Sequence, residues 1–249
     1  MANNLAVGEQ VYVARNRLGI SSDAPSAFYH TEVMETHKRS AKMKLPDGNW
    51  SDWIGSSVIH RSLGILIIRI GDFKTETALL DPLRKSVLQF FRLLLTDDMV
   101  RAFDVRTLTE LKHVWDQNHG GFTHVVLIGH GDRNKGVCFA NSKWKKAHAL
   151  NAVFRSAAAK PKTIVSLCCE TGYANVAQTI SEMDYCENFV APFHSVHGAI
   201  ASQFCQSFFT YILLQGESIG NAFRHARDGT PGAKIFRHWV DGEMVAGAR

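Results

Sequence analysis

From residue 64 onward the chain keeps one rhythm: a short apolar run, a helix-length stretch, another apolar run. Gly64–Ile70 is apolar except for Arg69, the pattern of a strand buried on both faces. Asp81 followed by Pro82 reads as a helix start that carries on to about residue 95. A second strand is expected over 99–105, and Thr107-x-x-Glu110 is a capping box opening the next helix. Further strands are expected over 125–128, 163–168, 188–192 and 234–240. Helices are expected between them, over about 146–159, 174–183, 197–214 and 218–227, with a hairpin or loop at 136–144. Strands separated by helices require right-handed crossovers. They predict an α/β fold, a mostly parallel sheet of about six strands sandwiched by helices.

Residues 1–62 have a different texture. Strand-like runs at 10–14, 27–35 and 40–45 alternate with turn signals, and Pro46-Asp47-Gly48 is a strong hairpin turn. This predicts a separate small antiparallel barrel, SH3-like or Tudor-like, ahead of an α/β domain over 63–249. Tyr12, Phe28, Tyr29, Trp50 and Trp53 are its candidate binding aromatics, although so small a barrel needs most of its aromatics for its own core.

Composition excludes several classes. There are 28 Lys and Arg against 23 Asp and Glu, so the chain is mildly basic. The basic residues are scattered; the clusters at 37–44 and 143–146 are too short for a dedicated nucleic-acid stripe. No apolar run is long enough to span a bilayer, and the first ten residues lack the pattern of a secretory signal. Five cysteines, an odd number without regular spacing, do not read as a disulfide framework. A reducing cytoplasm is the expected setting, where a thiolate is available for chemistry.

Two apolar runs stop abruptly at polar, glycine-flanked tips. One is H-V-V-L-I-G-H-G-D, ending in His130; the other is T-I-V-S-L-C-C-E-T-G, with Cys168 and Cys169. Sites in open α/β sheets form beyond the carboxyl ends of the strands. Neighbouring strands lie about 5 Å apart, so adjacent tips bring a thiol within reach of an imidazole. Consecutive residues on an extended chain point to opposite sides, so one cysteine packs inward and the other projects. A nucleophilic cysteine needs a base, which His130 supplies, and the helix after Gly172 adds a favourable dipole. Gly131, with no side chain, leaves its N–H open as an oxyanion donor; the N–H of the nucleophilic cysteine is the second.

Other chemistries do not fit. The C-x₅-R loop of cysteine phosphatases would need arginine where Ala174 and Asn175 stand. The G-x-C-x-G elbow is absent, G-H-G-D-R-N-K-G lacks dinucleotide spacing, and Lys135-Gly136 is no phosphate loop. Cys138, Cys168, Cys169 and His130 have no usual zinc spacing, and His194-x-x-His197 reads more readily as a helix start than as a ligand pair. Neither cofactor nor metal is expected.

V-V-L-I-G-H-G-D followed by S-L-C-C-E-T-G resembles the caspase-like cysteine peptidases of clan CD, and looks closest to the CHAT branch. The stretches V-A-P-F-H-S-V-H-G-A-I-A-S-Q-F and G-E-S-I-G-N-A-F-R-H-A-R extend the likeness to roughly 63–241. The resemblance implies a caspase-like fold, Cys169 as nucleophile, His130 as base, backbone oxyanion donors at Gly131 and Cys169, and Cys168 as a buried neighbour. Metacaspases, with a similar cysteine box, carry an acid two positions before the nucleophile that helps bind a basic P1 side chain. That position is Leu167 here, so the basic preference does not transfer.

Asp132, Arg133, Leu167, Glu170, His194 and Ser195 are candidates to line the substrate cleft. The activity implied is a cysteine endopeptidase cutting a protein substrate through a thioester, in regulated proteolysis such as bacterial defence or cell death. An activating or recruiting protein would bind through the barrel. The alternative is a catalytically silent caspase-like scaffold that acts by binding.

Overall fold

The computed structural model describes residues 5–20, 28–62, 64–72, 78–95, 97–155 and 161–247. The chain divides into two compact units, Met1–Gly64 and Ile65–Arg249.

The first unit holds β1 (Gln10–Ala14), β2 (Phe28–His37), β3 (Ser40–Met43), β4 (Ile54–Gly55) and β5 (Ile59–His60) in one antiparallel sheet, ordered β4-β3-β2-β1-β5. The edge strands β4 and β5 are consecutive in the chain, joined by one 3-10 turn at Ser56–Val58, so the sheet curls until it is nearly closed. Val11, Val13, Val33, Ala41, Met43 and Ile59 fill its interior. They alternate along their strands with residues that face outward. The Pro46-Asp47-Gly48 turn is present: Gly48 sits at φ 86, and Asp47 Oδ1 accepts the Asn49 N–H at 2.9 Å. The expected run at 27–35 begins at a residue outside the described ones, as does the side chain of Phe28. Tyr12 is buried, whereas Trp50 and Trp53 are 50% and 45% exposed. The apolar interior is complete without the two tryptophans.

The second unit begins with β6 (Gly64–Ile70), α1 (Leu80–Leu94), β7 (Val100–Val105), α2 (Leu108–Asn118) and β8 (Phe122–Ile128). A small three-stranded sheet follows, β9 (Gly131–Asp132), β10 (Gly136–Phe139) and β11 (Lys143–Lys145). Then come α3 (Ala147–Phe154), β12 (Lys162–Ser166), α4 (Ala174–Ser181) and β13 (Cys186–Pro192). Last are α5 (Gly198–Leu213), α6 (Ile219–Gly229), β14 (Phe236–Val240) and β15 (Glu243–Ala246). The main sheet has seven strands, ordered β15-β14-β13-β12-β8-β6-β7. β12 pairs in parallel with both β8 and β13, and β6 with β7; β14 and β15 are antiparallel.

The sequence expectation stopped at 240 and missed β15. Asp241 and Gly242 both have positive φ (47 and 78), the conformation that Asp-Gly supplies for a tight hairpin. The helix expected over 146–159 is described only as α3, since 156–160 lie outside the described residues.

Helices form two groups, α1 with α5 and α6, and α2 with α3 and α4. Against the first group pack Val126, Ile128, Val165, Leu167 and Val190, along with Phe91, Phe204, Phe208 and Phe209. In the second group the Trp115 Nε1–H donates to Phe154 O at 2.9 Å. Thr107 caps α2 as expected, accepting the Glu110 N–H at 3.1 Å, while Glu110 Oε2 takes the Arg106 N–H at 2.6 Å. Asp81 is not a cap: α1 starts at Leu80, and Asp81 instead pairs with Lys85 at 2.7 Å and Arg69 at 3.3 Å. Arg69, the one charge in β6, is 5% exposed and makes a fork of two 2.8 Å bonds to Asp104, its partner across β7. This satisfies the buried guanidinium and ties α1 to two strands.

Candidate active site

β8 and β12 run side by side with Ser166 opposite Leu127, and the Leu167 N–H bonds Leu127 O at 2.8 Å. The paired register ends there, and both chains run on into the tips that carry His130 and Cys169. The tips are in close contact there: a Cβ on Gly131 would lie 2.1 Å from Cys169 O, 2.9 Å from Thr171 Cγ2 and 3.0 Å from Cys168 Cβ. Only glycine fits between them. The His130 tip is held from its other side by β10, whose Cys138 N–H donates to His130 O at 3.0 Å.

The cysteine tip is a turn closed by hydroxyls. Thr171 Oγ1 donates to Cys168 O at 2.8 Å, so the 2.8 Å contact between Ser166 and Thr171 is donated by Ser166. Ser166 Oγ in turn accepts the Cys168 N–H at 3.3 Å. Glu170 bends the chain at φ 58, the left-handed region that non-glycine residues enter at a cost. Gly172 passes so near β13 that a Cβ would sit 2.5 Å from Ala191 O, and its N–H bonds Pro192 O at 2.7 Å.

The two cysteines part here. Cys168 is fully buried, its sulfur beneath Gly129; burial pushes its thiol up to about 12, against a smaller lowering by the Ser166 hydrogen bond and with a still smaller push from the neighbouring Cys169. Cys169 is half-buried, and its Sγ accepts the Val196 N–H at 3.4 Å. A third tip, after β13, thus orients the sulfur. Sequence reasoning missed Ser166, Thr171 and Val196. The two hydroxyls stand inside S-L-C-C-E-T-G, but only its cysteines and acid drew a role, and Val196 acts through a backbone N–H that almost any residue has.

Of the expected cleft residues, Glu170 joins the tips: its carboxylate accepts the Arg133 N–H at 3.3 Å and its own N–H reaches His194 O at 3.4 Å. Asp132 Oδ1 accepts the N–H groups of Lys135 and Asn134, both at 2.8 Å. These bonds hold its carboxyl below the usual range, and the residue serves the turn between β9 and β10. Arg133 is exposed and lies over the Tyr173 ring, 5.2 Å from its centroid. His194 and Ser195 are exposed, with the His194 ring 4.2 Å from that of Phe193. Leu167 requires a correction: it is 3% exposed and belongs to the core under α1 and α5, because the strand pleat turns it inward. It does not line a cleft.

Among the described residues, no group of three or more His, Cys, Asp or Glu is arranged to hold a metal. His197 caps α5, its Nδ1 accepting the Ala199 N–H at 3.3 Å. No helix among the described residues is long and apolar enough to cross a membrane.

No family model matches the chain, and no curated protein matches it. Among solved structures it is similar to a secreted C11 cysteine protease from Bacteroides thetaiotaomicron, determined in complex with an irreversible peptide inhibitor. The identity is 10% and the TM-score 0.45, over 66% of this chain and 57% of that one. The chain therefore spans less than two thirds of that protease's length.

Proposed function

We propose that this protein is a cysteine endopeptidase of the caspase-like kind, CHAT branch, with Cys169 as nucleophile and His130 as base. The supporting observation is that the β8 and β12 tips meet, a Cβ on Gly131 lying 2.1 Å from Cys169 O, while Cys168 is sealed in the core. His130 takes the proton from Cys169 Sγ, and the sulfur attacks the peptide carbonyl carbon. The oxyanion is met by the N–H groups of Gly131 and Cys169. Collapse breaks the C–N bond, and the amine leaves with the proton from His130. Water, activated by the same imidazole, then hydrolyses the thioester and frees Cys169.

The curled N-terminal sheet is the recruiting module of this reading, SH3-like in its strand order. Its Trp50 and Trp53 are exposed, and the Lys42 ammonium lies 5.7 and 4.7 Å from their ring centres. Recruitment of a protein partner there suits regulated proteolysis of the kind used in bacterial defence or cell death. Five free cysteines suit a reducing cytoplasm.

The test is peptide-library cleavage by wild type, Cys169→Ala and Cys168→Ala. Cleavage is expected to vanish in the first variant and to persist in the second. A folded wild type that cuts nothing, with or without partner, would make the chain a silent scaffold.

A further inference from the structure

Next to the His130 tip, the β9–β10 turn and the first turns of α3 and α4 enclose a hollow of about 370 Å³. That is near the small end of ligand clefts, which span about 300–1,000 Å³. Arg133, Lys146 and His148 line it, with the polar side chains of Asn134, Asn175 and Thr179, and no carboxylate does among the described residues. The acids close by are engaged elsewhere: Asp132 closes its turn, and Glu170 takes the Arg133 N–H. The two helix starts add to the field. Lys146 and Tyr173 cap α3 and α4 without a side-chain hydrogen bond, and neither first turn contains an acid. Among the described residues, neither a capping side chain nor a first-turn acid offsets the partial positive charge at these termini. A cationic hollow bordered by uncapped helix starts suits an anion.

Its position identifies the carrier. Arg133, which lines the hollow, is bonded through its N–H to the residue after Cys169. The hollow therefore borders the turn that carries Cys169. We infer that the hollow is a subsite for an acidic side chain of the substrate, a few residues from the scissile bond. The inference rests on the peptidase reading of Cys169 and His130, and deepens it.

The test uses the full-length chain with Cys169→Ala and labelled peptides differing only by glutamate or glutamine at each position in turn, read by fluorescence anisotropy. At one position glutamate is expected to bind about tenfold tighter, a preference that weakens with salt. Lys146→Glu in the same background is expected to abolish it. The fold should survive, because Lys146 is exposed and an acid at a helix start is favourable. In the cleaving enzyme, Lys146→Glu should lower kcat/KM for the glutamate peptide about tenfold and spare the glutamine one.

Equal binding of the two peptides, or a preference untouched by Lys146→Glu, overturns the subsite. Lys146-dependent stabilisation by inorganic phosphate, with both peptides bound alike, also overturns it in favour of a free anion. A Lys146-dependent glutamate preference in a protein that cuts nothing sinks the peptidase reading alone. Cleavage without that preference sinks the subsite alone.

Discussion

Gly131→Ala tests the contact on which the candidate site depends. The new Cβ would lie 2.1 Å from Cys169 O, and a carbon and a carbonyl oxygen rest about 3.3–3.6 Å apart. The two tips must then separate by more than about 1 Å. The obstructing atom is backbone, so no rotamer change relieves it. Overpacking of this kind costs about 1–3 kcal/mol, and a backbone obstruction belongs at the upper end. For a unit of this size that lowers Tm by about 6–12 °C. A 1 Å misplacement of reacting groups costs about 100-fold in rate, equivalent to about 2.7 kcal/mol of barrier. Thermal unfolding followed by circular dichroism reads the first effect, and peptide cleavage reads the second. Gly220→Ala in α6 is the control: nothing lies within 4 Å of its Cβ, and stability should hold or rise by up to about 1 kcal/mol. A Gly131→Ala protein that melts and cuts like wild type would refute the close apposition of the two tips.

Three further outcomes are expected. Brief iodoacetamide treatment of native protein near pH 8, read by peptide mass spectrometry, should modify Cys169 and spare Cys168, whose thiol burial pushes up to about 12. Arg69→Met should cost about 1 kcal/mol in urea unfolding, because exposed Asp104 loses its fork but keeps Arg84 at 3.1 Å, and the loss should be less than additive with Asp104→Asn. Burial lowers the His238 pKa to about 4, with Nε2 2.8 Å from Asn188 Oδ1, so the folded chain keeps a neutral ring. The unfolded chain binds that proton from about pH 6.5, so stability is full above it and declines by about 1.4 kcal/mol per pH unit down to about pH 4. His238→Gln should flatten that part of the pH–stability curve.

The α/β rhythm was readable because the central strands are buried on both faces and announce themselves as apolar runs. Val125–Ile128 and Ile164–Val165 needed no context. Boundaries were weaker where polar groups have two uses. Asp81 looked like a cap, yet the buried Arg69 guanidinium claims it. β15 escaped because four half-exposed residues carry little pattern, and only the Asp241-Gly242 turn announced it. In the site, residue type pointed to a thiol and an imidazole. Leu167, chosen by its place in a motif, was assigned by the pleat to the core. What sequence could not express is the part played by main-chain groups, such as the Val196 N–H and the close approach at Gly131.

The setting of β12 has a consequence for how activity would be lost. Both its neighbours are parallel strands of the sheet interior, and every residue from Lys162 to Ser166 is buried. Amide protons in such a strand exchange mainly through global opening. The tip that bears Cys169 continues directly from it, clasped by Ser166 and Thr171 and tied through Gly172 to β13. Heat inactivation and unfolding of the second unit should therefore coincide in one transition, and amide exchange along β12 should be among the slowest in the molecule.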